Sequence, residues 1–339
     1  MNPARALSRL FLYLNPTALL VLGVGVAVAD LSMNYGAATR DGVLRINQGA
    51  GLLNHYGFFA TITGNAIGLY AARKYYDAVC SIKTSRAVID TSVIDPSLAE
   101  LTSMIRMEGR YIALTYLLVA IGGLFFLENL RILLSGDSLA KWGPVYDSLD
   151  HRWSFFAGRF HLLYSWVIIM PLGVHVILLS SVQLWRTMGI ASRARVLTYD
   201  LLNPDDRGGF GFVDNAVIAF NLIVALVYVE ITLHIETFRR MNLEHMFDYA
   251  VLTLLLIGIN RMFFAHIYGI IKKLRFESLN QLKDNVFRND KLSFEILKYC
   301  YERRVNTASV ASFIIKASAI AVPQIVRSWP SIVKALTPG

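Results

Sequence analysis

Cysteine is nearly absent from this chain: 339 residues contain only Cys80 and Cys300. Two isolated cysteines exclude a disulfide framework and cannot complete a closed zinc site, which takes four ligands. Charge is also scarce, since Asp, Glu, Lys and Arg make up 17% of the residues. With 55% hydrophobic residues and a mean hydropathy of +0.47, this composition is typical of a membrane protein.

Motifs with a known chemistry are missing as well. The sequence contains no Walker loop, no His-Glu-x-x-His zinc motif, no Gly-x-Ser-x-Gly elbow and no potassium-filter sequence. It also shows no internal repeat and no low-complexity segment. An enzyme is therefore not favoured, although that class stays open, and no metal site is predicted.

Six long apolar stretches divide the chain. They cover residues 10–30, 52–71, 111–134, 155–185, 213–236 and 247–271. About 20 apolar residues cross the hydrocarbon core of a bilayer, and repeated segments of this length are rare in soluble domains. The sequence thus predicts an all-α, polytopic membrane bundle of six transmembrane helices. The first stretch also fits a signal peptide cleaved after Ala29, but its length favours a retained helix.

Basic residues predict the orientation, because they concentrate in cytoplasmic loops. With the N-terminus inside, the inner loops hold the larger set: Arg5, Arg9, Arg73, Lys74, Lys83, Arg86, Arg106, Arg110, Arg186, Arg193, Arg195 and Arg207. The outer loops hold the smaller set: Arg40, Arg45, Arg131, Lys141, Arg152, Arg239 and Arg240. Both termini are therefore expected in the cytoplasm. The net charge of +9 is explained by basic inner loops that face anionic lipid. Nucleic-acid binding is therefore not expected.

This topology divides the chain into a transmembrane domain over residues 1–275 and a helical cytoplasmic or interfacial tail over residues 276–339. Residues 73–76 are expected to anchor the second span at the membrane interface. The inner loop that follows should break at Asp95-Pro96 and restart as a helix. Residues 310–326 of the tail are apolar but include a lysine, which favours an interfacial helix over a seventh span.

Polar groups inside apolar spans are costly in lipid and mark candidate sites. A rise of about 1.5 Å per residue sorts them into an outer and an inner layer. The predicted polar path comprises Asp30, Glu128 and Glu230 at the outer mouth, and Asn65, Asn221, Asn260 and Arg261 deeper in. Arg261 lies roughly 10–15 Å from the inner boundary, so it should face the bundle. Alternatively, these side chains only hold the helices together.

Histidine spacing suggests a second class. His161 and His175 lie on one face of the fourth span, about 21 Å apart. This His-x13-His pattern resembles the haem-bearing helices of membrane b-type cytochromes, in which each histidine binds one of two haems. The resemblance implies His55 or His234 as the outer partner and His266 as the inner one. No second helix carries the pattern, so no cofactor is the main expectation and haem b is the alternative.

A glycine-rich loop precedes the fifth span: Asn203-Pro204-Asp205-Asp206-Arg207-Gly208-Gly209-Phe210-Gly211. Its proline favours a turn, and its paired glycines permit positive φ. The loop resembles the His-Pro-Asp-x-x-Gly-Gly-Leu loop of uncharacterised bacterial multi-pass inner-membrane proteins, which implies an inner-membrane location but no activity. Asp205 and Asp206 could bind a hard cation, but a rigid turn docked under the bundle is favoured.

Three functions follow from these patterns. The leading prediction is a channel- or transporter-like protein with a polar intramembrane path. The alternatives are a dihaem cytochrome that transfers electrons, and a non-transporting scaffold or assembly subunit. The expected partners are the bilayer and either further copies of the chain or other membrane subunits. The transported species and its gating are left open.

Overall fold

The computed structural model describes residues 9–40, 56–106, 170–203, 207–238 and 264–284, with the single residues Glu295 and Ile315. All regular elements in these ranges are helices, and the extended pairing they contain is an isolated bridge between Val88 and Leu197. The predicted all-α fold is therefore confirmed for this part of the chain.

The helices are numbered in chain order. Helix α1 covers Pro16–Arg40, α2 covers Tyr56–Cys80, α3 covers Asp95–Ile105, α4 covers Met170–Arg193 and α5 covers Gly211–Phe238. Residues 264–284 form a further helix, α6. A short helical turn over residues 9–13 precedes α1, and two 3-10 turns, Ser81–Thr84 and Thr91–Val93, connect α2 to α3.

Helix α2 is the centre of the packing. It packs most extensively on α5, and also on α1 and α4, while α3 packs on α4. Ala71 and Ala72 on its buried face are fully inaccessible to solvent. Small side chains of this kind let neighbouring helices approach closely. Helix α6 adds Phe264 and Ile267 to the same core.

The first apolar stretch is interrupted near its start. The helical turn over residues 9–13 ends before Asn15, and α1 then runs from Pro16 to Arg40, through part of the predicted outer loop. The cause is local: the Asn15 side chain accepts a hydrogen bond from the Ala18 N–H at 2.7 Å, as an N-cap does, and Pro16 fits the first helical position. The prediction of one continuous helix from residue 10 is wrong.

Other boundaries agree better with the predictions. Helix α2 extends past residue 71 to Cys80. The helix predicted after Asp95-Pro96 is present as α3, but it begins at Asp95 itself, so the break lies before these residues. Helix α6 runs without a break through residue 275, so the predicted domain boundary lies inside a helix. The third apolar stretch, at residues 111–134, lies outside the described residues. None of the helices in the described ranges is long and apolar enough to cross a membrane.

Candidate functional site: a polar interior beneath two packed loops

Helix α4 turns its polar side chains inward. Its buried face carries four polar residues, none more than 2% exposed: Ser180, Ser181, Gln183 and Thr187. Its opposite face carries three apolar residues, each more than half exposed: Leu178, Val182 and Trp185. A surface helix of a soluble protein has the reverse arrangement, with its apolar stripe facing the core. These uncharged polar side chains of α4 therefore lie in the protein interior, whereas Arg186 and Arg193 of the same helix are exposed.

A hydrogen bond joins this polar face to α2. The hydroxyl groups of Tyr75 and Ser181 are 2.7 Å apart, and the Tyr75 side chain is fully buried. Burial raises the pKa of Tyr75 above its usual value, although the hydrogen bond to Ser181 opposes this, so the phenol is neutral at physiological pH. The Tyr75 ring lies 5.8 Å from the ring of Phe220, the neighbour of the buried Asn221. The Tyr75–Ser181 pair thus joins the polar side chains of α2 and α4, and an aromatic ring of α5 packs beside it.

Two further hydroxyl groups on this face are buried, and neither has a hydrogen-bond partner among the described residues: Ser180 and Thr187. They lie two helical turns apart on the same side of α4. Gln183, between them, donates a hydrogen bond to the Ser97 carbonyl at 2.6 Å. An unpaired buried hydroxyl costs roughly 1–3 kcal/mol. Ser180 and Thr187 are therefore candidates for contact with a small polar molecule inside the bundle.

Arg73 binds the end of the short helical turn over residues 9–13. Its guanidinium donates hydrogen bonds to the carbonyls of Phe11, Leu12 and Leu14 at 2.7, 2.7 and 2.8 Å. The side chain is 14% exposed and also pairs with Asp77 at 2.8 Å. The last carbonyls of a helix have no intrahelical partner, so one cation satisfies three of them here. The predicted role of Arg73 as an interfacial anchor stays a prediction, and the structure gives its guanidinium protein partners.

Two loops pack against each other at one end of the polar interior. We define the two-loop cap as residues 81–94 together with residues 194–203 and 207–210. Its backbone hydrogen bonds include Ile89 N–H to Val196 C=O at 2.9 Å and Thr198 N–H to Ala87 C=O at 2.8 Å. The predicted topology places both loops on the cytoplasmic side of the membrane. Their direct contact agrees with this prediction, because two loops can touch only if they lie on the same side.

The paired glycines allow the two loops to approach each other. Gly208 and Gly209 have φ of 64° and 92°, so the predicted positive φ is confirmed at both positions. A Cβ atom on Gly209 would lie 2.6 Å from the backbone nitrogen of Ala87, and one on Gly208 would lie 2.6 Å from the Tyr199 ring. The Ser85 hydroxyl also donates a hydrogen bond to the Gly209 carbonyl. A larger residue at Gly209 would separate the two loops, whereas one at Gly208 would displace the Tyr199 ring within its own loop.

An ion pair connects the cap to the helices behind it. Arg207 pairs with Asp214 in the first turn of α5, and their side chains are 19% and 15% exposed. Tyr268 of α6 forms a side-chain hydrogen bond with Asp214. The Ser278 hydroxyl, further along α6, donates to the Tyr199 carbonyl at 3.1 Å. Helix α6 thus contacts the cap directly through Ser278 and indirectly through Asp214 of α5, which pairs with Arg207.

Several predicted site residues can be located in this arrangement. Asn221 is buried on α5, and Arg207, Gly208 and Gly209 belong to the cap. His266 is exposed, and its ring lies 5.4 Å from that of Trp185. The suggestion that His266 binds an inner haem is therefore not supported by its position, because its ring lies on the outer face of α6.

The remaining candidates fall beyond what the structure describes. Some lie on described helices, but their side chains are not among the described parts: Asp30, Asn65, His175, Glu230 and His234. The others lie outside the described residues altogether: Glu128, His161, Asp205, Asp206, Asn260 and Arg261. The outer mouth of the predicted path, the Arg261 pairing and the proposed cation-binding aspartates stay predictions.

The hydroxyl residues of α4 are not among the predicted candidates. Serine and threonine are common in membrane helices and carry no charge, so they stand out little in an apolar span. A signal does exist in their spacing, because Ser180, Gln183 and Thr187 recur every three or four residues and therefore share one helix face. Leu178, Val182 and Trp185 follow the same spacing on the other face.

Comparison of the chain with protein-family models, with curated proteins and with solved structures finds no match. Within the described ranges, no three His, Cys, Asp or Glu side chains are placed so that they could hold a metal ion. The functional conclusion therefore depends on the geometry of the polar interior and the cap.

Proposed function

We propose that this chain is a multi-pass inner-membrane protein with a channel- or transporter-like function, built on six transmembrane helices with both termini in the cytoplasm. The six apolar stretches of the sequence support this proposal. The outward faces of α1 and α4 support it too, because they expose adjacent large apolar side chains: Val21, Leu22, Val24, Val28, Leu178, Val182 and Trp185. Lipid chains can cover such faces at no hydration cost.

The unpaired hydroxyls of Ser180 and Thr187 carry the transport proposal. Polar groups that serve only as interhelical contacts are expected to pair with each other, as Tyr75 and Ser181 do. Ser180 and Thr187 instead line a buried face with free hydrogen-bonding capacity among the described residues. A small polar solute or a file of water molecules would satisfy these groups in turn. The lining is uncharged, which favours a neutral solute over an ion.

In this proposal the two-loop cap closes the cytoplasmic end of the path. Gly209 lies against the Ala87 backbone, and Phe210 beside it is 1% exposed. Passage would require the loops to separate, which breaks the hydrogen bonds at Ala87 and Val196. The cap is therefore the gate of the proposed path.

Reconstitution of the purified protein into liposomes tests this function. The probes are glycerol and urea in an osmotic shrinkage assay and potassium ions in a flux assay, each compared with empty vesicles. Thr187→Val should lower solute permeation roughly tenfold, which corresponds to the loss of about 1.4 kcal/mol of hydrogen bonding along the path. Thr17→Val is the matched control, since Thr17 is exposed on α1, outside the polar face and the cap, and should leave permeation unchanged.

A non-transporting scaffold is the second candidate. The specific observation in its favour is the close packing beside the polar face, where Leu184 and Met188 are fully buried. If the liposomes are no more permeable than empty vesicles to all three probes, the transport function fails and the scaffold is favoured.

A further inference from the structure

Helix α6 has two different faces. One face is docked: Phe264 and Ile267 are buried in the core, and Ser278 donates a hydrogen bond to the cap. The opposite face is exposed and carries two lysines and a phenylalanine: Lys272, Lys273 and Phe276. Phe276 is 63% exposed. An exposed aromatic ring next to two cations indicates a surface that contacts something both apolar and anionic.

A groove runs along this exposed face. It has a volume of about 420 Å³ and is lined by Gly269, Lys272, Lys273, Arg275, Phe276 and Leu279. Gly269 has open space where a side chain would be, which leaves room at the end of the groove nearest the core. Lys273 is 3.9 Å from Glu277, but both side chains are more than half exposed, so this pair is weak. The groove therefore retains positive charge beside an apolar wall.

The neighbouring residues follow the depth profile of a bilayer. Leu178 and Val182 expose apolar surface on α4, and Trp185 follows them one turn later, in contact with His266 of α6. Lys272 lies about 9 Å further along α6 than His266. A protein surface that crosses from the acyl chains to the headgroups is expected to be apolar first, then aromatic at the interface, and then basic. The residues here follow this order.

We propose that this groove binds the headgroup of an anionic phospholipid on the cytoplasmic leaflet, with the phosphate at Lys272 and Lys273. Phe276 favours a lipid over free phosphate, because a soluble anion would leave its ring exposed to water whereas the lipid glycerol and first methylenes would cover it. This site rests on the proposed membrane location of the chain. It does not depend on transport.

The test uses the full-length protein purified in a neutral detergent. Titration with phosphatidylglycerol, phosphatidylcholine and inorganic phosphate is followed by the thermal unfolding midpoint and by the lipid bound per protein in native mass spectrometry. Phosphatidylglycerol should stabilise the protein, and the other two probes should not. The double variant Lys272→Gln/Lys273→Gln should bind phosphatidylglycerol at least roughly tenfold more weakly, since each lysine near an anionic headgroup contributes about 1 kcal/mol.

The control is Arg86→Gln/Arg106→Gln, which removes two exposed cations outside the groove. It should leave phosphatidylglycerol binding within about twofold of the unmodified protein. Equal binding of phosphatidylglycerol and phosphatidylcholine, an equal loss in the control variant, or equal stabilisation by inorganic phosphate would each overturn the lipid site. Carbonate extraction of cell membranes separates the two proposals. A chain that stays in the membrane but lacks this lipid preference disproves the site alone, whereas an extracted chain disproves the membrane location as well.

Discussion

A side-chain nitrogen of Arg73 lies 2.7 Å from the carbonyl oxygen of Phe11, although the two residues are 62 positions apart in the chain. The same guanidinium contacts the carbonyls of Leu12 and Leu14. The break before α1 and the charge on α2 therefore form one structural unit. The broken helix exposes carbonyls that need donors, and the arginine is a partly buried cation that needs acceptors.

Replacing Arg73 should destabilise the protein. Arg73→Met keeps much of the aliphatic stem but leaves three carbonyls without their donor, so the free energy of unfolding should fall by roughly 2–3 kcal/mol. Lys74→Met is the control, because Lys74 is exposed and should change stability by about 0.5 kcal/mol or less. Thermal unfolding in detergent, followed by intrinsic fluorescence, measures both. Equal losses in the two variants would show that the carbonyl contacts contribute little.

The glycine pair in the cap should not tolerate even alanine. Gly209→Ala combines a positive φ with a Cβ placed 2.6 Å from the Ala87 nitrogen, so it should cost at least about 2 kcal/mol and separate the loops. Gly189→Ala is the matched control: it lies within α4, and a Cβ there meets nothing within 4 Å. It should be neutral, or stabilising by up to about 1 kcal/mol. Limited proteolysis of the cap and the unfolding midpoint are measured for both variants. Faster cleavage of the cap indicates loop opening, whereas a lower midpoint alone indicates general destabilisation.

Paired and unpaired hydroxyls should respond differently to substitution. Tyr75→Phe removes one partner of a buried hydrogen bond and should cost about 1 kcal/mol of stability. Thr187→Val removes a hydroxyl that has no partner among the described residues, so its stability should be unchanged or slightly higher. Unfolding midpoints measured under the same detergent conditions make the comparison. A clear destabilisation by Thr187→Val would mean that its hydroxyl serves in packing and not in a polar path.

Cysteine labelling tests the orientation and the environment of Cys80. An impermeant maleimide applied to intact cells should miss Cys80 and Cys300 and label Ser138→Cys in the predicted outer loop. In permeabilised cells of a Cys300→Ser background, Cys80 should react slowly at pH 7, because burial raises the pKa of its thiol and the thiolate is the reactive form. Its rate should rise with pH toward that raised pKa, whereas Thr84→Cys, at an exposed position, should react quickly at pH 7. Labelling of Cys80 and Cys300, but not of Ser138→Cys, in intact cells would show that the predicted orientation is wrong.

The visible spectrum of the purified protein tests the cytochrome alternative. We expect no Soret band, since His266 is exposed beside Trp185 and the His-x13-His pattern occurs on one helix alone. Expression with added haem precursor provides the control against incomplete loading. A Soret band at the intensity of two haems per chain would establish the cytochrome and displace the transport function.

The helices themselves were largely predictable, and their contacts were not. The apolar run around residue 220 predicts α5 closely, because hydrophobic length and helix geometry are local properties. The helix after Pro96 was predictable for the same reason, although its first turn also includes Asp95 and Pro96, since proline fits the first helical positions. The role of Arg73 was not, since a basic residue after an apolar span looks the same whether it faces headgroups or the carbonyls of another segment.

By itself, the sequence determined the helical class, the positions of the apolar stretches and the two glycines that need a positive φ. Each of these depends on neighbouring residues and on the conformational limits of single amino acids. Tertiary structure alone decided that Tyr75 meets Ser181, that Gly209 lies on Ala87 and that Ser180 and Thr187 point inward. These contacts join segments far apart in the chain, and they depend on which helix faces meet. The hydrophobic pattern predicts the buried face of a helix only where the apolar side is the buried one. In α4 the buried face instead carries uncharged polar residues, and large apolar residues are exposed.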